Sequence, residues 1–191
     1  MQHQMEGKLL KKGSMPGGKE PEITTLRQEE IPLYLETGKA AYEDHYRHLW
    51  PGGDPWPYLT RNFTPDIVAA EIEDPQVLLW MVYCGGEPAG ICKLDEAKDF
   101  ETIPAGSSLF IEKIYFKKPF TGQGLGTALI RKIIGLGREM DKRFLWLEAM
   151  QKGPALSFYL NQGFKVVGQT QVPHPEVIEA EKMMWVLSLE L

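Results

Sequence analysis

Three glycines at alternate positions, Gly122, Gly124 and Gly126, sit where an apolar strand turns into a helix. They belong to the segment 109–131, LFIEKIYFKKPFTGQGLGTALIR. Its strand carries one carboxylate, Glu112, and its helix opens with Leu125, Leu129, Ile130, Ile133 and Ile134 at helical spacing. Glycine lets the main chain approach an anion without a Cβ in the way, and the unpaired N–H groups of a helix start point at it. The pattern suits a pyrophosphate. Two familiar phosphate loops do not match: Thr127 stands where G-x-G-x-x-G needs its last small residue, and no Gly-Lys-Ser/Thr follows for a P-loop. A glycine turn capping a helix is also a common structural device, so the turn alone does not decide.

A second block lies downstream. A strand over 143–150 is followed by a helix over 154–162, with Pro154 suited to its first turn, Gly163 at its end and Phe164 opening the next strand. Taken together, the two blocks resemble the GNAT superfamily of acyl-CoA-dependent N-acyltransferases. Its first motif, Arg/Gln-x-x-Gly-x-Gly/Ala, is met by residues 121–126, TGQGLG, with Thr121 in place of the usual Arg or Gln. Its second, Ala-x-x-Phe-Tyr-x-x-x-Gly-Phe, is met in full by residues 155–164, ALSFYLNQGF.

The resemblance implies roles. Acetyl-CoA is the implied co-substrate, its pyrophosphate cradled by Thr121, Gly122, Gln123, Gly124, Leu125, Gly126 and Thr127. Its pantetheine arm would pair with the backbone of Ile114, Tyr115 and Phe116. Lys152 stands in the loop where relatives often carry an Asn, and would serve a CoA phosphate. Tyr159 would protonate the leaving thiolate. A lysine-like amine with a pKa of about 10.4 costs roughly 4–5 kcal/mol to deprotonate at pH 7, so a general base is useful. Glu112 is the implied base; the competing reading is a structural carboxylate paired with Lys113 or another cation.

The elements that must position these residues follow from periodicity and punctuation. A strand is expected over 22–26 and a helix over 32–49. The breaker-rich stretch 50–57 reads as a loop, and a helix over 64–73 is capped by Thr64 with Pro65 in its first turn. A hairpin over 77–94 turns at Gly85 and Gly86. The motif strand, a helix to 141, a strand 143–150, the helix 154–162 and strands 164–171 and 182–189 complete the order. That order gives an α+β fold, a single GNAT-like domain over 20–191 with a mixed sheet of about seven strands flanked by about four helices.

Composition sets compatible bounds. The chain has 191 residues, 43% hydrophobic and 25% charged, with a net charge of −5. These are values of one ordinary globular domain. Residues 1–19 lack the apolar run of a secretory signal and read as a flexible leader. No stretch is long and apolar enough to span a membrane, so a cytoplasmic protein with no membrane partner is expected. Cys84 and Cys92 read as reduced thiols. No metal-ligand spacing is present, so no metal is expected.

Charge is divided along the chain. Residues 20–112 hold 18 acidic against 6 basic residues, and residues 113–191 hold 7 against 11. A polyanionic co-substrate suits the second half and a cationic acceptor the first. Equally, the charges of a folded sheet can simply scatter over solvated faces. Tyr42, His45, Tyr46, His48, Trp50, Trp56 and Tyr58 cluster with Glu43, Asp44 and Asp54, which suits an ammonium ligand. Tyr42, Tyr46 and Trp50 at helical spacing also read as a core stripe.

From about residue 22 the chain is similar to bacterial spermidine/spermine acetyltransferases of the PaiA type, which implies a polyamine-like amine acceptor. A protein or peptide N-acetyltransferase and a non-catalytic acyl-CoA-binding sensor are the other readings. The acidic balance and the lack of a basic, aromatic-interleaved stripe argue against nucleic acid. A homodimer is expected on family resemblance alone.

Overall fold

The computed structural model describes residues 20–191, and the leader expected over 1–19 lies outside them. The chain runs β1 (Pro21–Thr25), α1 (Ile31–Tyr46), α2 (Trp56–Asn62), α3 (Pro65–Glu73), β2 (Val77–Cys84), β3 (Glu87–Asp95), β4 (Ser108–Phe116), α4 (Leu125–Glu139), β5 (Phe144–Met150), α5 (Pro154–Asn161), β6 (Lys165–Gln171) and β7 (Met183–Glu190). The seven strands form one sheet in the order β1-β2-β3-β4-β5-β7-β6. The α+β architecture expected from the sequence is present, with five helices among the described residues where about four were expected. The extra one is α2, whose first turn begins inside the stretch 50–57 that reads as loop because of its prolines. Pro55 is its N-cap and Pro57 lies in its first turn, where a missing N–H costs nothing.

Strand alternation sends side chains to two layers. On one face Leu79, Met81 and Ile91 pack against Tyr34, Leu35 and Tyr42 of α1, Leu59 of α2 and Val68 of α3. On the other, Val82, Cys92, Leu109, Ile111, Leu145 and Leu147 meet Leu129, Ile130 and Ile133 of α4. The loop 172–182 folds back over the first layer, with Val177 buried. Its Ile178 N–H donates to the Leu49 carbonyl at 2.9 Å, and Arg61 of α2 makes two bonds to Glu176.

The feature that shapes the site is where pairing stops. β4 and β5 are the only parallel neighbours in this sheet, joined by the α4 crossover, and they pair only from Ser108 with Phe144 to Ile111 with Leu147. Beyond that point β4 continues beside β3 to Phe116, and β5 beside β7 to Met150. A bulge sits at the divergence: Lys113 pairs with Lys93 and Ile111 with Leu94, leaving Glu112 as the extra residue. A bulge raises local twist and bends its strand. β4 therefore leans away from β5, opening a gap inside the sheet between residues 112–116 and 148–150.

β3 keeps β4 in that bent course by close approach at Gly90. A Cβ there would lie 2.4 Å from the Tyr115 carbonyl oxygen, a main-chain atom that cannot step aside. Gly90→Ala is expected to destabilise the fold by about 1–3 kcal/mol, read as a lower urea midpoint; an unchanged midpoint would contradict this packing.

Candidate active site

The glycine turn stands at the end of β4 on the α4 side. Gly122 and Gly124 have φ of 74° and 82°, left-handed values that favour glycine, and Gly124 is the N-cap of α4. A Cβ on Gly122 would meet nothing within 4 Å, so the turn presents bare main chain to open space. The first intrahelical bond runs from the Ala128 N–H to the Gly124 carbonyl. The N–H groups of Leu125, Gly126 and Thr127 thus precede the hydrogen-bonded ladder and face out of the helix start. The polar side chains of the turn are engaged locally: Thr121 Oγ1 donates to the Lys118 carbonyl at 2.8 Å, and Gln123 Nε2 to the Pro119 carbonyl at 2.8 Å. Thr127 Oγ1 accepts from Nε2 of Gln162, the C-cap of α5, at 3.4 Å. The cradle is therefore a backbone device, and Thr121 adds no charge to it. Gly126 lets α5 close in, since a Cβ would sit 3.0 Å from the Phe158 ring.

Ile114, Tyr115 and Phe116 line the gap from β4, paired on their other side with Cys92, Ile91 and Gly90. The Phe116 carbonyl is already taken by His45 Nε2 of α1 at 3.0 Å. Tyr159 of α5 packs edge-on to Phe158 and Phe164. Burial pushes its phenol well above the ordinary tyrosine range, with Tyr46 and Cys92 adding to the effect, so the hydroxyl stays protonated. Tyr46 belongs to the α1 layer and Cys92 to the α4 layer, so Tyr159 senses both faces where the sheet is split.

On the α1 face the bulge places Glu112 and Lys113 side by side. Glu112 Oε2 lies 2.8 Å from Lys93 Nζ, and Oε1 pairs with Lys113 Nζ. Lys93 also reaches Glu71 Oε1 of α3 at 2.6 Å. Both lysines are buried, at 8% and 4% exposure. Burial opposes the charge on Glu112, yet Lys113 and Lys93 outweigh it and hold the carboxyl below its ordinary range. Of the two readings of Glu112, the geometry displays the paired carboxylate. Across the gap stands Glu148 of β5, which sequence reasoning passed over. Its pKa is raised by burial, with Lys98 opposing and Glu112 reinforcing, and no hydrogen bond contributes. The signal for it was present: a lone carboxylate in the apolar strand FLWLEAM, the same pattern that singled out Glu112.

Other expected contacts are not assembled. Lys152 does not join the glycine turn; its ammonium donates to the Ala180 carbonyl and to Glu181, each at 2.8 Å, and so fastens the loop 172–182. Glu43 pairs with Arg47, Asp44 accepts from the Lys118 N–H, and Asp54 caps the Trp56 N–H. Trp50 is buried and donates its indole N–H to Tyr42, which stacks on Tyr58 at 4.1 Å; Tyr58 in turn meets the Tyr115 hydroxyl at 2.8 Å. The aromatic stripe is largely core, as its spacing also allowed. Among the described residues no helix is long and apolar enough to cross a membrane, and no group of three metal-ligating side chains is present.

The model of the acetyltransferase (GNAT) family matches residues 39–164, and the chain belongs to that family. It is an N-acetyltransferase whose co-substrate is acetyl-CoA. An uncharacterized N-acetyltransferase of the pepI 3′ region of Lactobacillus delbrueckii subsp. lactis is 29% identical over 144 residues, covering 74% of this chain and 82% of that protein. Among solved structures, the fold is similar to PaiA N-acetyltransferase from Thermoplasma acidophilum in complex with coenzyme A. That match has a TM-score of 0.71 at 14% identity and covers 90% of this chain and 99% of that one. A GCN5-related N-acetyltransferase from Rhodopseudomonas palustris matches with a TM-score of 0.70 at 14% identity, covering 93% and 100%.

The ion pairs at the bulge set a pH dependence. Because the folded pKa of Glu112 lies below its unfolded value, its stabilisation is present above the ordinary carboxylate range. It is lost as pH falls through the folded pKa. Glu112→Gln is expected to cost about 3 kcal/mol at pH 7, with the gap to wild type closing below about pH 4. Equal urea midpoints at pH 7 would contradict this.

Proposed function

We propose that this enzyme acetylates a primary amine, a polyamine-like small molecule, by direct transfer between acetyl-CoA and an acceptor bound together at the split between β4 and β5. The observation that carries the reading is the split itself. A glycine cradle lies at one end of it, Tyr159 on one face and two carboxylates on the other. The cradle fits a pyrophosphate because its N–H groups are unpaired and a Cβ on Gly122 would stand in open space. The unpaired edge of β4 over Ile114, Tyr115 and Phe116 fits an extended amide-bearing arm. Acetyl-CoA supplies an acyl group already activated as a thioester, so positioning and proton transfer are what remains for the protein.

Glu148 is assigned the proton of the acceptor ammonium. A carboxylate raised toward neutrality and free of hydrogen bonds is better matched to that task than Glu112, which two ammonium groups hold as an anion. Glu112 then serves as a fixed negative charge that favours a cationic acceptor. Tyr159 carries the proton that the departing sulfur takes up. As the C–N bond forms and the C–S bond breaks, one proton leaves the nitrogen and one joins the sulfur. Tyr46 and Tyr115, half-buried with ring centroids 5.6 Å apart, supply faces that suit an ammonium.

A thiol-release assay with acetyl-CoA against spermidine, spermine, lysine peptides, α-amine peptides and aminoglycosides tests the reading. Release with the polyamines is expected, and release confined to the peptides would replace it with peptide N-acetylation. The acid limb of kcat/KM should lie above the ordinary carboxylate range of about 4.3. Glu148→Gln should lower kcat about 100-fold or more and abolish that limb; an unchanged limb would remove Glu148 from the proton path. Gly124→Ala, which forces a side chain into the left-handed N-cap, should raise the KM for acetyl-CoA with little change in the acceptor KM. Unaltered kinetics would argue against the cradle.

A further inference from the structure

Glu71 is the member of the buried ionic chain most remote from the gap, and the geometry gives it a purpose. It lies on α3 and joins the chain through Lys93. Lys93 Nζ stands between Glu71 Oε1 at 2.6 Å and Glu112 Oε2 at 2.8 Å, while Lys113 closes on the other oxygen of Glu112. An ammonium has three donors and no acceptor, so Lys93 can bridge two carboxylates only if both stay in reach. With Glu71 present, two cations face two anions, and the chain is electrically balanced in a region with little water to screen it.

We propose that Glu71 is a positioning residue for acetyl transfer: it ties Lys93 down at the β4 bulge, so that Glu112 faces the acceptor as an anion and no unbalanced ammonium does. The assignment rests on the acceptor lying on this face of the split, and it deepens that reading by naming what sets the charge there. The charged and titratable groups around Glu112 are Lys113 on its own strand, Lys93 on β3, Tyr34 on α1, Tyr58 on α2, Glu71 on α3 and Glu148 on β5. Without Glu71, Lys93 keeps one carboxylate partner and shares it with Lys113. The face then carries one more positive charge toward an incoming ammonium. Without Lys93, the face carries one more negative charge.

The two single variants therefore act with opposite sign, which a merely structural role would not produce. Glu71→Gln should raise the KM for a cationic amine about threefold or more and move the acid limb of kcat/KM to lower pH. Lys93→Met should lower that KM and move the limb to higher pH. The double variant, which keeps the Glu112–Lys113 pair and restores balance, should return KM toward wild type and provides the readout if either single variant fails to fold. The KM for acetyl-CoA serves as the internal control and should stay fixed. Single variants that shift the acceptor KM in the same direction, or not at all, overturn the proposal. So does a double variant whose KM stays displaced. The opposed KM shifts do not depend on which group takes the proton, whereas the Glu148→Gln limb does, so failure of one assignment is distinguishable from failure of the other.

Discussion

Parallel strands remain paired only while both keep the same course, and one inserted residue is enough to end the agreement. Here that residue is Glu112. Its bulge bends β4 along β3, while β5 follows β7, and the sheet divides after Ile111 and Leu147. An internal division of a sheet leaves main-chain groups without partners, a cost that a bound extended ligand can offset. Everything at the site is arranged about this opening. The α4 start delivers bare N–H groups to one end, α5 brings Tyr159 to one face, and the bulge turns two charged side chains toward the other.

The bulge also explains why four charges are buried together. Two successive residues of β4, Glu112 and Lys113, project to the same side, where ordinary alternation would have separated them. Each charge finds a partner: Lys113 on Glu112, Glu112 on Lys93, Lys93 on Glu71. Glu148 is the exception, a part-buried carboxylate that the fold leaves without a hydrogen bond. A carboxyl whose pKa is raised by burial beside an opening in the sheet is the kind of perturbed group that collects at functional sites. Tyr159, held neutral by burial, belongs to the opposite layer.

Much of this could be read from the residues. The glycines 122, 124 and 126 and the helix start after them marked a turn with the bare main chain an anion would need. The block from Ala155 to Phe164 matched its family pattern residue by residue, and the succession of strands and helices along the chain followed from periodicity and punctuation. What the sequence concealed has physical reasons. α2 was masked by Pro55 and Pro57, which break a helix interior but are tolerated at its start. The bulge leaves no mark, because a register slip depends on the partner strand as well as on β4. Lys152 looked available to a phosphate until the loop 172–182 folded back to claim it. Tyr42 and Trp50, candidates for an acceptor cage, turned out to be hydrogen-bonded core. Glu148 was overlooked because one carboxylate in an apolar strand gains meaning only from what stands opposite.

A crystal structure of the enzyme with coenzyme A would show whether the opening between β4 and β5 holds the co-substrate. The pyrophosphate should lie on the N–H groups of Leu125, Gly126 and Thr127. The pantetheine arm should run along the free edge of β4 at Ile114 and Tyr115, with its sulfur on the path between Tyr159 and Glu148. Coenzyme A bound elsewhere, with the space between β4 and β5 left empty or closed by direct strand pairing beyond Ile111, would contradict that placement.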